Sequence, residues 1–137
     1  MKIELPSIAD QQAAIYEAAT KEAIKQLSSN LKAVRLPGQT EIDESLYPRT
    51  HLLRENEGWE PPVPDLIGAY FRHFQAAFPA YGTDVQLAKL LGLSSDRRLR
   101  EYKTGSRRPP YGVWRRFLIL TGRVPQDVIP VLAFMAS

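Results

Sequence analysis

Apolar side chains recur at helical spacing along most of this chain. Between residues 7 and 34 the apolar positions are Ile8, Ile15, Ala19, Ala23, Leu27, Leu31 and Val34, and no Gly or Pro interrupts them before Pro37. The pattern predicts one long helix, with Ser7 or Asp10 able to cap it. Its alanines raise helix propensity, and Glu17 and Lys21 form an i,i+4 pair on the polar side. A helix of this kind has to bury its apolar stripe, either on the rest of the chain or on a second copy. The stripe is alanine-rich and lacks a strict heptad repeat, which argues against a coiled coil.

The rhythm stops at residues 35–64. Pro37, Gly38, Pro48, Gly58, Pro61, Pro62 and Pro64 break helix and strand alike. The sparse apolar residues are Leu46, Tyr47, Leu52, Leu53 and Trp59. This segment reads as a Pro-rich connector, with Trp59 available as an anchor on the body. Helix signals return over residues 65–135. Asp65, preceded by Pro64, caps a first helix with Leu66, Ile67, Tyr70, Phe71, Phe74 and Phe78 on one face, which stops at Pro79. Thr83 or Asp84 caps a second helix, with Val85, Leu87, Ala88, Leu90 and Leu91 apolar, which ends at Gly92. Ser94 or Ser95 caps a third, which ends at Gly105. Pro109 and Pro110 open a fourth, with Val113, Trp114, Phe117, Leu118 and Leu120 buried, and a last short helix follows Pro125 with Val128, Ile129, Leu132 and Phe134. No run alternates with period two, so the fold class is all-α. The domains expected are a helical arm over residues 1–34, a connector over 35–64 and a helical domain over 65–137.

Charge is divided unevenly between these parts. The net charge is only +3 over 137 residues. Residues 82–123 carry ten basic side chains against three acidic ones, whereas residues 1–61 carry seven basic and ten acidic. Concentrated positive charge suits a polyanion, and the remainder of the chain is left for another task. The alternative is a solvated, arginine-rich helix face.

The stretch from Thr83 to Ser94 gives that charge a geometry. One helix ends at a glycine, a short turn carries Leu93, and a serine starts the next helix. Ala88 allows close crossing of the two helices, and Gly92 supplies the positive φ of the turn. On the second helix Leu99 and Tyr102 face inward, leaving Asp96, Arg97, Arg98, Arg100, Glu101 and Lys103 outside. Arginine grips guanine or phosphate with two parallel hydrogen bonds. Residues at the start of such a helix reach base edges, so Asp96, Arg97 and Arg98 are the candidate base readers. Asp96 can equally help to cap its own helix. Arg100 and Lys103 are placed for phosphate or solvent, and Ser106, Arg107, Arg108, Arg115 and Arg116 for the phosphate backbone.

Leu87-Ala-Lys-Leu-Leu-Gly-Leu-Ser94, followed by Leu99, Tyr102, Gly105, Arg107 or Arg108, Pro109 and a closing apolar helix, resembles the lambda-repressor/Cro-type (XRE-like) helix-turn-helix family over about residues 65–122. The resemblance implies a five-helix domain that binds double-stranded DNA, usually as a homodimer on a palindromic operator. The interval from Gly92 to Gly105 is one residue longer than is usual in the family. Asp84 stands where the family often has Gln, so Gln86 or Thr83 would take over that contact. The candidate DNA-binding residues are Thr83, Gln86, Ser94, Ser95, Asp96, Arg97, Arg98, Arg100, Lys103, Arg107, Arg108 and Arg115.

Other chemistries find little support. The chain has no cysteine, which excludes disulfides, thiolate metal sites and a cysteine nucleophile. His51 and His73 are not spaced as a metal pair and read as surface or satisfied histidines. Glu41, Asp43 and Glu44 read as a solvated acidic turn, and Trp59 and Trp114 as packing residues. No glycine-rich phosphate loop, catalytic constellation, metal site or cofactor site is evident. No apolar run approaches the ~20 residues of a membrane span, and no signal-peptide pattern opens the chain. The expectation is therefore a cytoplasmic, nucleoid-associated transcriptional regulator that is not an enzyme. The alternative is a protein-interaction module, antitoxin-like or a mobile-element accessory protein, whose residues 1–60 bind a partner protein.

Overall fold

The computed structural model of the chain describes residues 5–136. Among these residues all regular structure is helical, with five α-helices and no strand. The chain forms two compact units that meet in sequence between Gly38 and Gln39.

The first unit is built on α1, Ile8–Asn30. Ser7 caps it, with its side-chain oxygen accepting from the Asp10 N–H at 3.1 Å. The exposed pairs Glu17–Lys21 and Glu22–Lys25 lie along its surface. The helix is four residues shorter at its C-terminal end than the apolar pattern predicts, and none of its residues is buried. Ile8, Ile15, Ile24 and Leu31 are all more than half exposed.

The second unit packs α2 (Pro64–Ala77), α3 (Asp84–Leu90), α4 (Asp96–Thr104) and α5 (Tyr111–Leu120) around one core. Pro64 occupies the first turn of α2, where its missing N–H costs nothing, and Asp65 sits one residue inside the helix rather than capping it. The core is largely aromatic. Trp114 stacks on Tyr70 and meets Phe71 and Phe117, while Phe74 meets Phe117 edge-on. Leu66, Ile67, Leu87, Leu99 and Leu118 fill the space between the rings.

Two expectations about this unit need correction. The second unit begins at Gln39 rather than at residue 65, and the Pro-rich connector lies along its body. From Gln39 onward it belongs to the compact unit, where Ile42, Tyr47, Leu52 and Trp59 pack against the core. Three short 3-10 turns, Glu44–Leu46, Thr50–Leu52 and Glu55–Glu57, let the chain follow that surface despite its prolines. Trp59 is the anchor: its indole N–H donates to the His51 carbonyl at 3.2 Å, and its ring meets Tyr111 edge-on. The second correction is at the other end. No helix follows Pro125, and residues 125–136 lack regular structure. Pro130 lies in the middle of the expected helix, where it would remove a hydrogen-bond donor and clash with the preceding turn.

Candidate nucleic-acid interface

The α3–α4 unit is built by local signals that agree with one another. Thr83 caps α3 in a reciprocal box: its Oγ1 accepts from the Gln86 N–H at 3.2 Å, and Gln86 Oε1 accepts from the Thr83 N–H at 3.2 Å. Leu91 caps the end of the helix, and Gly92 turns the chain with φ of 76°. The Leu93 N–H then bonds back to the Ala88 carbonyl at 2.8 Å. Ala88 and Leu87 are buried, Leu93 is half-buried, and Leu99 in α4 is completely enclosed. Gly105 ends α4 with φ of 86°. A Cβ there would come within 2.8 Å of the Pro64 ring, so this position excludes side chains for two separate reasons.

Leu99 and Tyr102 fix which face of α4 turns outward. Tyr102 is buried with Leu99, and the arginines occupy the remaining surface. Arg97 Nε lies 2.9 Å from Glu101 Oε1, Arg98 Nη1 lies 3.3 Å from Glu101 Oε2, and Arg107 Nε lies 2.8 Å from that same oxygen. One carboxylate thus gathers three guanidinium groups. The hydrogen bond from Arg107 is the main reason that the Glu101 carboxyl ionises below its usual range, with Arg97 and Arg98 adding to it. Arg97, Arg100, Glu101, Thr104, Ser106 and Arg107 line a shallow, open concavity. The side chain of Arg97 is 81% exposed and that of Arg107 is 53% exposed, so their outer N–H groups face solvent. Arg108 is exposed and pairs with no described residue.

Other candidates are placed differently. Asp96 does not cap α4. It pairs with Arg100 one turn on, and Ser95, the N-cap residue, makes no side-chain cap hydrogen bond. Ser94 and Ser95 are exposed. Lys103 is not directed to phosphate or left in solvent. It lies 2.8 Å from Asp84 Oδ2, both groups being about three-quarters buried, and so joins α4 to the start of α3. Gln75 donates to the other oxygen of Asp84. Burial opposes charge on Asp84, but the hydrogen bonds from Lys103 and Gln75 outweigh it and lower the pKa. Asp84 is therefore a structural joint, which accounts for a carboxylate at this position.

Arg115 is the clearest departure from expectation. It is 5% exposed and points inward. Its guanidinium donates to the Leu52 carbonyl, the Pro125 carbonyl and Asp127 at 3.1–3.2 Å. It thus fastens the connector and the C-terminal segment to α5 and is unavailable to a phosphate backbone. Arg116 donates to the Leu90 carbonyl at 2.8 Å. The basic face is therefore α4 and the loop after it, without Arg115, while Arg116 stays exposed on α5.

Of the two readings open for His51, surface or satisfied, the satisfied one holds, and the residue belongs to a buried polar cluster that sequence reasoning did not assemble. His51 is 4% exposed, and its Nδ1 accepts from the Trp114 indole N–H at 3.1 Å. Burial, helped by the nearby charge of Arg49, pushes its pKa down to about 4. Tyr70 lies edge-on to the same imidazole, donates its hydroxyl to Glu44, and carries the Arg123 guanidinium 3.8 Å above its ring. Burial and the bond to Glu44 push the Tyr70 pKa up to about 12. No local signal identifies this cluster, because 63 residues separate His51 from Trp114.

Among the described residues no group of His, Cys, Asp or Glu side chains could hold a metal ion, and no helix is long and apolar enough to cross a membrane. No protein-family model, no curated protein and no solved structure matches the chain.

Proposed function

We infer that residues 39–137 bind double-stranded DNA through a lambda-repressor-like helix-turn-helix formed by α3 and α4, and that the protein acts as a transcriptional regulator. The observation that carries this reading is the outward arginine cluster on α4, fixed in direction by the burial of Leu99 and Tyr102. Its ion pairs do not oppose the reading. Glu101 is 17% exposed, but its arginine partners keep 42–81% of their side-chain surface in solvent; pairs with such exposed cations are worth about 0.2–1 kcal/mol each, so a phosphate or a guanine edge can replace Glu101 as their partner. Until then Glu101 holds three arginines side by side, which reduces the ordering cost of binding. Arg97 and Arg98 are the base readers. Arg100, Arg107 and Arg108 hold phosphates, and the exposed Thr83, Gln86, Ser94 and Ser95 supply neutral contacts around them.

The test is a titration with duplex DNA at several salt concentrations. Each phosphate neutralised contributes about 0.9 to the slope of log affinity against log salt. The double variant R97A/R98A should bind at least about tenfold more weakly and lose its site preference, since each bidentate base contact is worth roughly 1–3 kcal/mol. A wild-type protein that ignores duplex DNA at low salt overturns the reading.

A second role has its own support. The exposed Ile8, Ile15 and Ile24 of α1, with Leu31 at its C-cap, give it an apolar surface, suited to a partner protein or to a second copy of the chain. A DNA-binding regulator can carry such an arm, so the two roles are compatible.

A further inference from the structure

Behind the basic loop lies a cavity of about 370 Å³, between the Pro-rich segment and the start of α2 on one side and the loop after α4 on the other. Space on the order of 150 Å³ is enough to hold benzene, so this cavity can take a six-membered ring with a polar substituent. Its walls are stiff and flat. Pro48, Pro61, Pro62, Pro64 and Pro109 line it, and proline rings have little rotamer freedom to lose on binding. Tyr47 and Tyr102 add aromatic surface.

The charged and imidazole groups of the lining favour donors over acceptors. Arg107, Arg108 and His51 supply donors, and Glu60 is the one carboxylate among the lining residues. Arg107 shares its charge with Glu101, whereas Arg108 has no partner among the described residues. His51 Nδ1 accepts from Trp114, so the neutral ring keeps its proton on Nε2. No described acceptor takes that proton. A nearly enclosed imidazole with a spare N–H, beside an unpaired guanidinium and flat apolar walls, fits a ligand that is planar, apolar over most of its surface and anionic at one end.

We propose that this cavity binds a small aromatic carboxylic acid, its ring between the prolines and its carboxylate on Arg108, with the His51 N–H as a second donor, and that occupancy withdraws Arg107 and Arg108 from DNA. The regulatory half rests on the DNA-binding reading; the binding half does not. The ligand is thus an effector that releases the protein from its operator.

Calorimetric titration of the full chain with benzoate, and with benzamide as its uncharged counterpart, tests the pocket. Benzoate should bind saturably at millimolar concentration, at least about tenfold more tightly than benzamide, because only the carboxylate forms a charge-assisted pair. Arg108→Ala, an exposed position with no partner to lose, should abolish that preference. Glu60→Gln should tighten benzoate severalfold by removing a like charge. Equal affinity for the two compounds, unchanged benzoate binding in R108A, or no saturable binding overturns the site. Duplex affinity measured with and without benzoate then tests the coupling. Benzoate binding that leaves duplex affinity unchanged overturns the effector role. Failure to bind duplex even without benzoate overturns the DNA-binding reading, and the benzoate–benzamide comparison still decides the pocket.

Discussion

The two units of this chain are both helical for different reasons. α1 runs for 23 residues, is capped by Ser7, and buries nothing. Its backbone order comes from length, alanine content and a cap, the sources on which an isolated helix depends. α3 and α4 have 7 and 9 residues, fewer than the ~12–15 below which isolated helices are marginal in water. The i,i+4 pairs Arg97–Glu101 and Asp96–Arg100 on α4 add only about 0.2–0.5 kcal/mol each, too little to hold so short a helix. These two helices exist because Leu87, Ala88, Leu99 and Tyr102 are locked into an aromatic core. The candidate interface thus sits on elements that cannot form alone, so loss of packing and loss of the interface should coincide.

The same substitution in each unit exposes the difference most strongly. Leu99→Ala removes a side chain with no solvent exposure and should destabilise the second unit by about 4 kcal/mol, a large part of the stability of a small domain. Leu27→Ala, at a partly exposed site in α1, should change the main transition by less than about 0.5 kcal/mol. Denaturant titration followed by tryptophan fluorescence reads this directly, because Trp59 and Trp114 both lie in the second unit. A large effect of Leu27→Ala on that signal would show that α1 is energetically part of the core.

This contrast also explains what was legible beforehand. Periodic apolar residues announced α2, α3, α4 and α5, and Gly92 and Gly105, read as helix stops, both take positive φ. The arginine face of α4 followed from the spacing of Leu99 and Tyr102. Beyond the Trp59 anchor the connector was illegible, because Ile42, Tyr47 and Leu52 have no period; what holds them is a surface that exists only once the helices have packed. The inward turn of Arg115 depends on carbonyls of Leu52 and Pro125 and on Asp127. Read on a helix, Arg115 looks identical to Arg116. The absent C-terminal helix is different: Pro130 was visible, and its cost outweighed the apolar spacing around it.

Acid should separate the units next. The folded state keeps His51 neutral, with a pKa of about 4 against a model-compound value of 6.5. Between those values the unfolded chain binds the extra proton, so stability rises with pH. The full contribution is present above about 6.5 and is lost as pH falls through about 4, amounting to roughly 3 kcal/mol. Depressed carboxyl pKa values at Glu44, Asp84 and Asp127 act in the same direction at lower pH. α1 contains no histidine. Lowering pH from 7 toward 4.5 should therefore weaken the fluorescence-detected transition without a matching loss of α1 helicity. A histidine NMR titration with the His51 midpoint near 6.5 would show instead that its ring is hydrated.

The smallest expected effect makes the sharpest distinction. Ser7 and Thr83 are both N-caps whose side-chain oxygen accepts from the N–H three residues on, at 3.1 and 3.2 Å. Replacing a capping hydroxyl by alanine costs about 1 kcal/mol wherever the helix end is coupled to the measured transition. Thr83→Ala should therefore lower global stability by about that amount, since the frayed end of α3 also carries Asp84 and its joint to Lys103. Ser7→Ala should fray only the first turn of α1, reducing helical circular dichroism slightly while leaving the fluorescence midpoint in place. If both substitutions move that midpoint equally, the first unit shares the cooperativity of the second, and α1 must be read as part of the machinery that presents α4.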